Sequence, residues 1–379
     1  MHLNLLTSLF FSLALWIFNP VPEAEKGTAD ILFAGDAMCH SAQLSAAKKG
    51  NGYSFEGYYD GIAKAVNAAD FAVVNLETPV AGGSFSGYPC FNAPDSFAEE
   101  LKKAGFDLLL TANNHTLDRR VRGGCKTLRT LDTLGVEHIG TYSGKESRSE
   151  SIPFIKDING IKTGFLNYTY GTNGFVTSDG FIVDYIDKDK IRNDVEKTRS
   201  AGAELIVVAI HWGTEYILLP DKSQKDMASF LRSLGVEMII GGHPHVVQPM
   251  ELEDGRLTVY SLGNLVSNMK TTDTRGGALL RVTIGRNESG KAIVKDAAYS
   301  LVFVEPPSGI YENYRVTPCE KVKDVNSGYK CRQFLASTGK SLDIHNKNVP
   351  RIETDSLIQE KAVSGYPSFV LPHFSPFVR

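Results

Sequence analysis

Five apolar runs, each closed by a polar residue able to bind a metal, punctuate the first 245 residues. Ile31-Leu32-Phe33-Ala34 leads into Gly35-Asp36, and Phe71-Ala72-Val73-Val74 into Asn75-Leu76-Glu77. Phe106 to Leu110 leads into Asn113-Asn114-His115, Leu205 to Ile210 into His211, and Val236 to Ile240 into Gly241-Gly242-His243-Pro244-His245. Short apolar runs without alternation read as strands covered on both faces. Helical patterns lie between them at 58–68, 95–105, 123–134, 188–201 and 222–234, so strand and helix alternate. That alternation implies a largely parallel sheet with sites at the carboxyl ends of its strands. From Ile152 to Tyr170 the pattern changes to paired strands about Asn159-Gly160, a type I′ turn signal. Further strands at 257–262, 278–284 and 292–304 suggest a second, more antiparallel sheet. The expected fold is α/β, a two-sheet sandwich flanked by helices in the order α/β/β/α.

Three segments follow from the same pattern. Residues 28–305 form the main domain. Residues 306–379 carry many Pro, Gly, Asn and Lys and little periodicity, and read as a C-terminal extension packed on the domain. Residues 1–24 contain the apolar run Leu3 to Phe18 followed by Asn19-Pro20 and small residues to Ala24, the shape of a secretory signal or N-terminal anchor, although its n-region lacks Lys and Arg. The protein is therefore expected to be exported to the periplasm or cell envelope.

Composition narrows the function. With 42% hydrophobic and 22% charged residues the chain is ordinary globular protein, and a net charge of −3 without a basic run argues against nucleic acid as a partner. The five cysteines have no zinc-finger spacing; in an exported chain Cys319 and Cys331 could close a small loop.

The closing residues carry the chemistry. Asp36, Glu77, Asn114, His211, His243 and His245 supply carboxylate, amide oxygen and imidazole, a mixture suited to Mn, Zn or Fe and not to an all-oxygen cage. Six ligands exceed a closed zinc site and suffice for two divalent ions sharing a carboxylate, which can clamp the oxygens of an in-line displacement. An extended backbone puts His243 and His245 on one face, although an isolated His-x-His is more often two unrelated loop histidines. In the loop 79–96, Phe85, Tyr88 and Phe91 either fill a local core or face a substrate.

The motifs GDAM (35–38), NLETP (75–79), NNHTLD (113–118), HWGTEY (211–216), GGHPHVVQP (241–249) and YSLGN (260–264) resemble the CapA capsule-synthesis family, also called poly-γ-glutamate biosynthesis proteins, a branch of the calcineurin-like metallophosphoesterase superfamily. The resemblance spans roughly residues 28–285. It implies that Asp36 and His245 bind a first ion, that Glu77 bridges, and that Asn114, His211 and His243 bind a second. It makes His115 a catalytic acid or oxyanion group, which Asp118 would orient, and puts Asn264, with Tyr88 and Glu215, at the rim of the pocket. Met38 stands where dimetal phosphoesterases have the histidine of Asp-x-His, and a thioether is a poor ligand for a hard dication. His40 is the expected substitute ligand.

The resemblance implies a metal-dependent hydrolase or transferase of capsule polymer synthesis, acting on an anionic polymer or a phosphoester, with capsule-machinery membrane proteins as possible partners. Two alternatives stand beside it: a non-catalytic component that holds the polymer for export, and a metallophosphodiesterase.

Overall fold

The structure is a computed structural model that describes residues 27–309 and 312–358 of the chain. The expected signal at 1–24 and the end of the expected extension lie outside those residues. Two sheets face each other. The larger runs in the order Arg315–Pro318, Ala292–Glu305, Gly276–Arg286, Ala29–Ala37, Phe71–Leu76, Leu108–Leu110, Glu137–Ile139, with Asn264–Val266 paired beside the end of Ala29–Ala37. The smaller runs Met250–Glu253, Arg256–Val259, Met238–Gly242, Leu205–His211, Ile161–Thr169, Phe154–Ile158.

In the smaller sheet four parallel strands lie between antiparallel edge strands, whereas in the larger the four parallel strands run from Ala29–Ala37 to the edge at Glu137–Ile139 and the antiparallel strands lie on the other side. The sequence implies a largely parallel sheet beside a second, more antiparallel one, whereas the parallel strands divide between the two. All the parallel strands are apolar on both faces, so composition does not say which sheet each one joins.

Alternation within the strands builds the layers. Ile31, Phe33, Val73, Leu108 and Leu110 meet Phe165, Leu205, Val207, Met238 and Ile240 between the sheets. The intervening Leu32, Ala34, Ala72 and Val74 turn outward onto Ile62, Val66, Phe97 and Leu101 of two helices, Asp60–Ala68 and Asp95–Lys103. On the far side Ile206, Val208, Ile210 and Ile239 cover Ile191, Val195 and Leu231 of Lys188–Ser200 and Lys222–Ser233. The expected helix at 123–134 begins three residues earlier, as Arg120–Leu134. The Asn159-Gly160 turn joins Phe154–Ile158 to Ile161–Thr169, with φ of 50° and 84° as a type I′ turn requires.

Beyond residue 305 the chain is more regular than its composition suggests. Arg315–Pro318 adds an edge strand, and Val325–His345 is a helix of 21 residues. Cys319 and Cys331 are free thiols here, with Cys331 Sγ 3.8 Å from the Cys319 carbonyl oxygen. No helix among the described residues is long and apolar enough to cross a membrane.

Candidate metal centre

Strand register gathers the polar ends. Asp36 lies opposite Asn75 on one side and Asn264 on the other, at the carboxyl end of the larger sheet. His211 lies opposite Thr169 and Gly242 in the smaller one. Close backbone approach makes the glycines here a steric requirement: a Cβ on Gly35 would stand 1.9 Å from Gly263 O, and one on Gly241 2.0 Å from Tyr260 O. A Cβ on Gly242 would meet the Asp36 carboxylate at 2.8 Å. Past the glycine pair, His243 and His245 adopt φ of 97° and 59°. The two rings therefore converge, at 5.9 Å between centroids, through left-handed backbone and not through the extended geometry expected from the sequence. Non-glycine residues in that region cost about 1–3 kcal/mol each, strain of the kind that collects at functional sites.

The result is two triads that share one carboxylate: Asp36, Glu77 and His211, and Glu77, His243 and His245, each with ligand atoms within 4.8 Å of one another. His245 Nδ1 also lies 3.4 Å from Asp36 Oδ2, the pair expected to share a first ion. His211 Nε2 lies 2.9 Å from Asn114 Oδ1 and 3.5 Å from Glu77 Oε1, while His245 Nε2 lies 3.8 Å from the same Glu77 oxygen. Both Glu77 oxygens are buried and have no hydrogen-bond partner, and His243 Nδ1 is equally unpartnered. A buried ionised carboxylate in that state is costly unless a cation sits beside it, so the donor set fits bound metal.

Burial and the Asp36 charge push Glu77 well above the usual carboxylate range. Burial acts on Asp36 in the same direction, yet its hydrogen bond with His245 and the imidazoles around it hold it well below that range. Burial lowers His211 to about 3 and His243 to about 2, so both are neutral donors of lone pairs at physiological pH. His245 is buried too, but Glu77 and Asp36 raise it to about 9.

Supporting contacts fix the ligands. Asn75 Nδ2 donates to Asp36 Oδ1 at 2.8 Å, and Asn113 Nδ2 donates to Asn75 Oδ1 at 3.1 Å. His245 Nδ1 lies 3.0 Å from Asn264 Oδ1, which turns Nε2 toward Glu77. Asn264 is fully buried and is thus a support for a ligand, not the rim residue expected. Asn75 and Tyr170 went unread in the sequence. Asn75 sits two residues before a carboxylate that claimed the strand end, and Tyr170 follows a strand assigned to a hairpin. The Tyr170 ring lies 4.6 Å from that of His243, and its hydroxyl reaches Asn114.

His115 does not join either triad. Its Nδ1 lies 2.8 Å from Asp118 Oδ2, which also accepts the Phe91 N–H at 2.7 Å. Phe91 is buried and packs edge-on between His115 and His40, at 4.6 and 5.0 Å. Phe85 is partly buried against Tyr53 and the neighbouring Tyr88 is 73% exposed, so the 79–96 loop packs two of its aromatics and offers the third to solvent. Glu215 is half-buried near Tyr170, Tyr216 and His245. His40 departs from its expected place: it is in neither triad, and its Nδ1 takes the Asn268 N–H at 3.2 Å.

The cluster thus lies across the strand ends of a four-layer α/β/β/α sandwich. The profile of the family described as bacterial capsule synthesis protein PGA_cap matches residues 30–269, and the chain belongs to that family. It is 30% identical over 197 residues to the PGA biosynthesis protein CapA of Bacillus subtilis, covering 50% of each chain. It is 24% identical over 288 residues to the capsule biosynthesis protein CapA of Bacillus anthracis, covering 73% of this chain and 68% of that one. The chain thus spans about half the length of the first relative and two thirds of the second. Among solved structures it is similar to the NAD nucleotidase of Haemophilus influenzae, with TM-score 0.44 and 13% identity over 87% of this chain and 59% of that one.

Proposed function

We propose that the chain is an exported, metal-dependent hydrolase or transferase acting on an anionic capsule polymer of the poly-γ-glutamate type. Glu77 carries the reading: a fully buried carboxylate with neither oxygen bonded, common to two triads of nitrogen and oxygen donors. Asp36, Glu77, Asn114, His211, His243 and His245 would hold two divalent ions, and their mixed donors suit Mn, Zn or Fe. Ions so held supply Lewis acidity at the scissile centre.

The chain's own residues do the rest. With Nδ1–H held by Asp118, His115 has Nε2 free to exchange a proton with the substrate, and Asp118 keeps the ring oriented as it does so. Phe91 shields one edge of that ring from water. In His115→Asn, turnover of an oligo-γ-glutamate or of a model phosphodiester falls about 10²–10⁴-fold, while elemental analysis finds metal content unchanged. Equal loss of both would make His115 a ligand.

Met38 at the expected histidine position favours a second reading, in which the metals hold a polycarboxylate without cleaving it. Wild-type protein that retains the polymer and turns over neither substrate with added Mn would establish it. Export rests on the apolar run in the first 24 residues. A reporter fused behind them leaves the cytoplasm, and one lacking them does not; equal distribution refutes the signal.

A further inference from the structure

His40 precedes the Ser41–Ala47 helix, with its ring between Phe91 and Asn268. Its Nδ1 has two neighbours that make opposite demands. The Asn268 backbone N–H, at 3.2 Å, only donates; Gln43 Oε1, at 3.3 Å, only accepts. Gln43 cannot turn over to resolve this, because its Oε1 accepts the His40 N–H at 2.8 Å and its Nε2 donates to Met38 O at 2.9 Å. Gln43 Oε1 is already satisfied by the His40 N–H, whereas the Asn268 N–H needs an acceptor, so the lone pair falls on Nδ1 and a neutral imidazole carries its proton on Nε2. Burial lowers His40 to about 4, so the ring is neutral at physiological pH. Nε2 is therefore a hydrogen-bond donor and not a metal ligand, and no group among the described residues accepts from it.

The same segment collects cations. Asn268 Oδ1 accepts from Lys270 Nζ and from the Tyr314 hydroxyl, each at 2.7 Å. Burial lowers Lys270, and the charges of Arg275 and Lys330 lower it further. Among the described residues none of these three cations has a carboxylate within ion-pair distance, although most ion pairs elsewhere match a Lys or Arg with Asp or Glu. Like charges gathered without counter-ions repel one another, and an anion relieves that repulsion. Lys330 comes from the Val325–His345 helix, and all three cations lie beyond residues 30–269 that match the family profile. The segment borders the site: Lys270 bonds Asn268, Asn268 bonds His40, and His40 packs at 5.0 Å on Phe91, which packs at 4.6 Å on His115.

We propose that the His40 Nε2–H together with Lys270, Arg275 and Lys330 forms a subsite that binds an anionic oxygen group of the substrate, a carboxylate or a phosphate, beside the metal centre. The subsite rests on the proposed function for the identity of the substrate, but it is read by binding and not by turnover. It would hold a charged group flanking the reacting bond, with the imidazole supplying direction and the cations supplying field.

The experiment is titration calorimetry on the metal-loaded, full-length protein with two probes, a γ-linked glutamate pentamer and orthophosphate. Wild type binds at least one probe, and added salt weakens the binding. His40→Phe weakens it about tenfold, and Lys270→Met and Arg275→Met about threefold to tenfold each. His40→Gln restores most of the loss, because an amide can accept from Asn268 and donate from its NH2 group. Metal content and melting temperature stay at wild-type values throughout. A response to the pentamer alone assigns the subsite to carboxylate, and a response to orthophosphate alone assigns it to phosphate. The proposal is overturned if wild type binds neither probe, if the substitutions leave affinity unchanged, if His40→Phe loses metal, or if His40→Gln is as weak as His40→Phe. Absence of turnover with probe binding intact would instead count against the catalytic reading.

Discussion

Glu77→Gln abolishes paired metal binding and, in chelator-treated protein, leaves the fold at least as stable as wild type. The two effects share one cause. In the absence of a cation the Glu77 carboxylate is buried beside Asp36 with both oxygens unbonded, a burden on the fold. An amide of the same shape carries no charge, so removing the carboxylate costs the metal-free state little. Once ions are present the balance reverses, because the bridging group serves both triads. Elemental analysis after dialysis gives about two ions per chain for wild type and well under one for the variant, a single ligand change that reaches both sites. Adding Mn at about a hundred times its dissociation constant stabilises wild type by about 2.7 kcal/mol for each ion bound, and the variant by far less. A variant that keeps full metal content, or one that is much less stable than wild type under chelation, contradicts the bridging role.

Gly35→Ala removes most of the stability of the fold although it adds one methyl group. The added Cβ would lie 1.9 Å from Gly263 O, where the Asp36 N–H donates to that same carbonyl at 2.9 Å. Backbone on both sides leaves no side chain to swing away, so a strand must shift, at a cost of about 3 kcal/mol or more. Gly171→Ala is the control: the same atom there meets nothing within 4 Å. Chemical denaturation should show a large loss for the first and a change within about 0.5 kcal/mol for the second. Comparable stabilities for the two variants would mean that the crossing at Gly35 is looser than described.

Much of this was legible in the chain. The apolar runs and intervening helical patterns identify the strands and helices, and the polar residue closing each run marks the site, because strands covered on both faces deliver their ends to one edge. What escaped has physical reasons. The Val325–His345 helix buries Ser327, Cys331, Phe334, Thr338 and Leu342, a helical spacing written mainly in small and polar residues that a hydrophobic pattern does not register. The resemblance placed Asn264 at the rim, yet it pairs with Asp36 along the strand and is sealed in. His40 read as a ligand on sequence distance alone, and the Asn268 N–H that occupies its Nδ1 comes from a segment 228 residues away. The convergence of His243 and His245 was expected for the wrong backbone reason, since left-handed φ in non-glycine residues leaves no mark in composition.

The two sheets contribute unlike halves to the cluster. Asp36, Glu77 and Asn114 follow strands of the larger sheet, and His211, His243 and His245 follow strands of the smaller. Oxygen donors thus lie on one side of a seam and nitrogen donors on the other, with no covalent link across it at that point. Ions held there would act as a clasp, adding to the apolar layer between the sheets a short, directional tie at its open end. A slip of one sheet against the other by a single residue would separate acids from imidazoles, so loading with metal would also proofread the assembled sandwich.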